Sequence, residues 1–251
     1  MARQKGIIKL KGTIGDITFY KSQDGHLARE RGGIEASRIR TDPAFQRTRE
    51  NGSEFGRAGK AGKTLRKAIR NLLQNAKDRR VVSRLTTEMV KVIQMDTTNP
   101  RGLRNVIDGE AELLQDFNFN INAKLGTTLF APFTATIDRV TGALAVAIPA
   151  FIPVNMIAAP GGTTHYKVVV GGAEIDFENE IIVSDTQESG ILPWDTVNTA
   201  AMNLSVSVSA ASTRPIFLLL GVQFYQQVNG VDYPLKNGAF NALSIVKVDG
   251  N

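Results

Sequence analysis

The chain contains no cysteine. That one absence removes disulfides, thiol nucleophiles and cysteine-based zinc, iron–sulfur or thiolate-haem sites. Histidine is almost as scarce, with only His26 and His165, so a multi-histidine metal centre is excluded as well. Tryptophan occurs once, at Trp194 after Pro193, where it reads as a loop anchor. No unbroken hydrophobic run is long enough to span a membrane. Residues 140–166 carry no Lys, Arg, Asp or Glu, but Pro149, Pro153 and Pro160 interrupt them, which suits buried strands joined by proline turns better than a membrane span. Lys9, Lys11 and Asp16 fall where a secretory signal needs an apolar core, so the expectation is cytoplasmic synthesis without a Sec signal and no membrane partner.

What is present is an ordinary globular composition, 42% hydrophobic and 22% charged, over 251 residues. That is enough chain for one large or two small packed domains. The net charge of +6 is unevenly spread. Residues 1–105 hold 24 Lys and Arg against 10 Asp and Glu, net +14, while residues 106–251 hold 6 against 14, net −8. The basic part should attract a polyanion or an acidic protein surface, and the second half of another copy is one such surface.

Three regions follow from the patterning: a ribbon or arm at 1–40, a basic helical segment at 41–112 and a β sandwich at 113–251. Residues 6–31 read as an antiparallel ribbon, GIIKLKG, TIGDITFYK and HLARERGG, punctuated by Gly12, Gly15 and Asp24-Gly25. A ribbon this small is not stable alone. Ile7, Ile8, Leu10, Ile14, Ile17 and Phe19 are the side chains it would bury, on its own sandwich or on a neighbour's. Asp42-Pro43 opens a helix. Within it Gly52, Gly56, Gly59 and Gly62 fall on one side, so either another backbone packs closely there or the helix breaks near Asn51-Gly52. A second helix runs from Asp78 to Asp96, with Val81, Val82, Leu85, Met89, Val92 and Ile93 as its apolar stripe. From Phe117 onward eight to ten short strands alternate with good turns, and the doubly apolar run 216–222 reads as a central strand. The fold class is therefore α+β: a ribbon, two basic helices and a C-terminal antiparallel sandwich, jelly-roll-like or immunoglobulin-like.

The segments MARQKGIIKLKGTIGDITFYKSQDGHLARE, DPAFQRTRENGSEFGRAGKAGK and QVNGVDYPLKNGAFNALSIVKVDG resemble a family of hypothetical proteins encoded by Bacteroidota, over the whole chain. The resemblance is consistent with this domain order and brings no activity, catalytic residue or binding residue with it.

Three constellations invite a chemical reading. Gly56 to Thr64 ends in the Gly-Lys-Thr of a phosphate loop, but Arg57 stands where the leading glycine belongs and no strand precedes it. Arg57, Lys60, Lys63, Lys67 and Arg70 follow helical spacing and form a basic strip without aromatics, suited to phosphate tracking, to an acidic protein or simply to solvent. Glu174, Asp176, Glu178 and Glu180 share one strand parity and would stand in a row, solvated, docked on a basic partner or bridged by calcium. Neither histidine lies in a hydrolase motif and no Gly-x-Ser-x-Gly elbow occurs. The expectation is a non-enzymatic structural protein, without cofactor or metal, whose ribbon and charges join copies head to tail into a filament, tube or particle of phage-like kind. The alternative is a nucleic-acid-associated protein that coats a polyanion with its basic half.

Overall fold

The computed structural model describes residues 2–30 and 33–250, with the backbone alone for Lys236 and Asn237. The chain divides into two compact units, residues 1–49 and 50–251.

The first unit is a four-stranded antiparallel sheet. Its strands are β1 (Ala2–Arg3), β2 (Gly12–Ile14), β3 (Ile17–Ser22) and β4 (Gly25–Glu30), in the order β1-β4-β3-β2. A short helix, α1 (Ala36–Thr41), and a 3-10 turn, Pro43–Phe45, follow. The β3–β4 hairpin expected around Asp24-Gly25 forms with Ser22 paired to Gly25, so Gln23 and Asp24 make the turn. The expected first strand, GIIKLKG, is not one. Residues 6–8 bend, because Gln4 closes the loop: its Oε1 accepts from Leu10 N at 2.8 Å while its Nε2 donates to Leu27 O at 3.0 Å. Arg31 and Gly32 of the third expected segment lie outside the described residues.

Asp42 enters the helical region as expected, its Oδ1 accepting from Ala44 N at 2.9 Å ahead of Pro43. Helix α2 (Gln46–Ala68) then runs unbroken through Gly52, so the continuous helix is the reading that forms. It is followed by α3 (Arg70–Leu73) and α4 (Val81–Gln94). Val81, Leu85, Met89, Val92 and Ile93 of α4 are buried as the stripe predicts, whereas Val82 stays exposed. A one-turn helix, α5 (Leu125–Thr128), leads to strands β5 (Thr134–Asp138) and β6 (Ala143–Ile148). After a further turn of helix, α6 (Pro153–Met156), come β7 (His165–Asp176), β8 (Ile181–Glu188), β9 (Leu192–Pro193), β10 (Met202–Ser207), β11 (Ile216–Val228), β12 (Val231–Pro234) and β13 (Ala242–Asp249).

These nine strands form two antiparallel sheets. The larger is built on the long pair β7 and β11, in register from Ile216–Glu174 to Tyr225–His165. β13 and β12 share the far edge of β11, and β8 and β9 the far edge of β7. The smaller has the order β10-β6-β5. Alternate residues of the central pair serve two cores. Tyr166, Val168, Val170, Leu218, Leu220 and Val222 pack with β6 and β10, while Val169, Ala173, Ile175, Phe217 and Leu219 pack with α2, α3 and α4. The run 216–222 is thus a central strand buried on both faces, as its composition implies.

The helical segment and the sandwich, divided at residue 112 in the sequence reading, are therefore layers of one unit: helices, large sheet, small sheet. Gly171 and Gly172 mark where the layers close. A Cβ at 171 would collide with Leu72 Cδ1 of α3, and one at 172 would lie 2.8 Å from Val206 Cγ2 of β10. The edge strand β10 is closed by side chains of β8. Gln187 Oε1 accepts from Ser205 N, and Asp185 Oδ2 accepts from Ser207 N at 3.0 Å, so polar side chains stand where another strand would pair; the C-terminal antiparallel sheet is curled as a half-barrel.

Candidate association surface

The two units differ in whether they have a core. No described residue of 2–49 is buried. Directly opposed residues of an antiparallel sheet share a face. The pairs Ile14–Ile17 and Phe19–Ala28 therefore place these four side chains on one face of the first unit, with Ala2 opposite Ala28. Ile14 and Ile17 are exposed there and Phe19 is half-buried. Ile7 and Ile8 project from the loop that Gln4 closes, at 102% and 81% exposure, and Leu10 is exposed beside them. All six side chains expected to seek burial thus lie on a unit that does not supply it.

The glycine stripe behaves differently from the expectation of a close-packed partner backbone. Among the described residues, nothing lies within 4 Å of a Cβ built at Gly52, Gly56 or Gly59; Gly62 alone is buried, and it meets Leu85 and Met89 side chains. The buried face of α2 is carried instead by Glu54, Ala58, Ala61, Thr64 and Leu65. Residues 56–64 lie within this helix, which rules out a phosphate-loop conformation.

The basic strip is partly consumed inside the chain. Arg57 donates to Gly102 O at 2.8 Å and Arg104 O at 3.0 Å, and so holds the loop after α4. Lys60 pairs with Glu180 at 3.2 Å. The Lys60 hydrogen bond, assisted by the charges of Lys60, Lys63 and Lys67, holds the Glu180 carboxyl below the usual range. Lys63, Lys67 and Arg70 are exposed. The neighbouring Glu54 is buried on α2 and accepts from Arg104 Nε at 2.7 Å and Gly102 N at 2.8 Å. Burial pushes its carboxyl up, but these bonds and the arginine charges bring it below the ordinary value.

The acidic row does not form. Strand β7 ends at Asp176, where Phe177 enters the helix-side core, and Glu178 to Glu180 make the turn to β8, with Glu180 at φ +56°. Glu174 and Asp176 do share a face, but both are buried and both contact Arg214, at 3.2 and 3.5 Å. Glu174 also accepts from Ser209 N at 3.0 Å. Burial raises its carboxyl, and the bonds from Ser209, Ser212 and Arg214 more than offset this. Two members of the expected row are thus structural acceptors, and the other two are turn residues. Among the described residues, no group of three or more His, Asp or Glu side chains is placed to hold a metal ion.

Residues 1–49 hold 11 Lys and Arg against 5 Asp and Glu, net +6, and residues 50–251 hold 19 of each. Within the second unit the helical stretch 50–105, net +8, neutralises the net −8 of 106–251. An exposed ion pair, Lys60–Glu180, joins the two stretches, and the excess net charge belongs to the coreless unit.

The second unit also holds a feature that no sequence motif marks. A cavity of about 390 Å³ opens between β8, β9 and β10, lined by Glu188, Leu192, Asp195, Val197, Met202 and Leu204 among others. Its described lining holds two acids, Glu188 and Asp195, and no Lys or Arg. Near it Trp194 anchors the loop as expected, its indole N–H donating to Ile157 O at 3.3 Å. Tyr166 is fully buried with no hydrogen-bond partner for its hydroxyl among the described residues, and burial, followed by the charge of Asp195, pushes that hydroxyl up to about 12. His165 lies at the start of β7, bonded to the adjacent Thr164 hydroxyl at 2.9 Å.

Comparison with protein-family models, with curated proteins and with solved structures found no match to the chain. Among the described residues, no helix is long and apolar enough to cross a membrane.

Proposed function

We propose that the protein is a non-enzymatic structural subunit that associates with copies of itself through residues 2–49. The observation that carries this reading is the contrast in burial. The second unit has a core on each face of its large sheet, while the first has none and presents Ile7, Ile8, Leu10, Ile14 and Ile17 to solvent. A small sheet without a covered apolar face is marginal in water. Burying an isoleucine contributes about 1.5–3 kcal/mol, so covering several of them supplies what the unit lacks. A contact between the first unit of one copy and the second of another is heterologous and builds a ring or an open filament according to its rotation.

The second reading, a nucleic-acid coat, is favoured by the net +6 of residues 1–49 and by exposed Lys63, Lys67, Arg70, Lys77, Arg79 and Arg80 in the helical layer. Apolar side chains are the wrong complement to a phosphate backbone, and this puts self-association first. Sedimentation velocity with the 260/280 nm absorbance ratio separates the two readings. Self-association predicts large species with a protein-like spectrum, reduced to monomers in the variant carrying Ile7→Glu, Ile8→Glu and Ile17→Glu. Monomers in the parent at every accessible concentration, or a nucleic-acid spectrum lost on raising salt, would overturn it.

A further inference from the structure

We infer that the cavity between β8, β9 and β10 is the receptor for the Ile7–Ile8 loop of another copy. This rests on the self-association reading above and names its second surface. The donor is a compact feature. Gln4 closes the loop through Leu10 and Leu27, which leaves Ile7 and Ile8 at its tip with lysines at 5, 9 and 11 on either side. The receptor has the reciprocal character. Leu192, Val197, Met202 and Leu204 give it apolar walls, and Val197 is itself 67% exposed at the rim. Glu188 and Asp195 supply acid; Glu188 is paired with Lys167 at 2.8 Å, while the Asp195 carboxylate accepts from Val197 N at 2.9 Å in its own loop. The described lining carries two acids, Glu188 and Asp195, and no Lys or Arg, while the loop Lys5-Gly6-Ile7-Ile8-Lys9-Leu10-Lys11 carries three lysines and no acid. A cavity of about 390 Å³ falls within the roughly 300–1,000 Å³ range of ligand-sized clefts, so it takes a loop tip rather than a whole strand or helix. Charge steers such an encounter, and the isoleucines fix its register.

The absence of cysteine makes the test direct. Three single variants of the full chain, Ile8→Cys, Val197→Cys and Val228→Cys, are prepared, the last on the β11–β12 hairpin away from the cavity lining. Ile8→Cys is mixed with each of the others at a concentration where sedimentation shows assembly, and a short bismaleimide is added. The expected result is a covalent dimer from Ile8→Cys with Val197→Cys in at least fivefold greater yield than with Val228→Cys. Equal yields in an assembling sample would overturn the receptor assignment and leave self-association standing. Coupling confined to an Ile8→Cys/Val197→Cys double variant as an intramolecular link would show the loop seated on its own chain, and would overturn the assignment between copies. Failure of the parent to assemble at all would remove the self-association reading, and this assignment with it.

Discussion

Residues 50–251 and residues 2–49 are built from similar local patterns and reach opposite outcomes. In the second unit every strong apolar pattern finds a layer: β11 is buried on both faces, α4 lays its stripe on the sheet, and Arg214, Arg104 and Arg84 hold the buried carboxylates Glu174 and Glu54 and the half-buried Asp78. In the first unit the same kinds of residue, paired in good antiparallel register, find nothing to cover them. The lesson is that hydrogen-bonded pairing and burial are separable, and only burial distinguishes a finished unit from one that waits for a partner.

Substitutions in the cores should break this comparison hardest. Phe217→Ala empties a fully buried site between β11 and the helices and is expected to cost about 3–5 kcal/mol, read as a lower denaturant midpoint of the second unit. In dilute solution Ile17→Ala in the first unit should leave that midpoint unchanged. A comparable loss from Ile17→Ala would mean that the two units share a core. Glu54→Leu comes next, at about 3 kcal/mol, because it strands the Arg104 guanidinium that Glu54 holds through both carboxylate oxygens, at 2.7 and 3.0 Å.

Acid should act chiefly on the second unit, since in the first only Asp42 among the described groups has its carboxyl lowered, by hydrogen bonds from Ala44 N and Arg38. Glu54, Asp78, Asp96, Glu174 and Asp176, all in the second unit, have carboxyl pKa values held below their ordinary values. A depressed folded-state value contributes stability that is complete above the unfolded values of about 3.9–4.3 and lost as pH falls through the folded ones. The near-UV circular dichroism of the second unit should therefore persist to about pH 4 and collapse below it. Collapse beginning near neutrality would implicate groups other than these carboxylates.

Smaller effects sharpen the picture of α2. With open space at its Cβ position, Gly56→Ala should gain up to about 1 kcal/mol from helix propensity. If Gly56→Leu instead weakens assembly, the stripe of Gly52, Gly56 and Gly59 faces a neighbouring copy. Least of all, Glu180→Lys should change unfolding little, since the pair it breaks with Lys60 is solvent-exposed; its effect should show in low-salt association kinetics if anywhere.

Much of the second unit was legible beforehand because its signals are local. The apolar run at 216–222, the 3.6-residue stripe of α4, Asp42 before Pro43 and the Arg139–Gly142 turn each depend on a few neighbouring residues. The failures share a cause of another kind. Parity carried the acidic row past Asp176 because nothing in a two-residue period says where a strand ends, and there Phe177 turns into the core. GIIKLKG has the composition of a strand, yet only its last residue, Gly12, is paired, with Phe19 of β3. Linear charge, +14 against −8, holds no information on which opposite charges pair within the chain, as Lys60 and Glu180 do. The cavity at 188–204 draws its walls from two strands and a loop, and no single segment signals it.

Hydrogen–deuterium exchange as a function of protein concentration tests the central claim most directly, because it reads both units in one sample. Amides of β7 and β11 should be protected at every concentration. Those of β3 and β4, residues 17–22 and 25–30, should exchange freely in dilute monomer and gain protection in step with assembly. Equal protection of β3 and β4 in dilute and concentrated samples would show that the first unit is stable without a second copy, and would contradict the account.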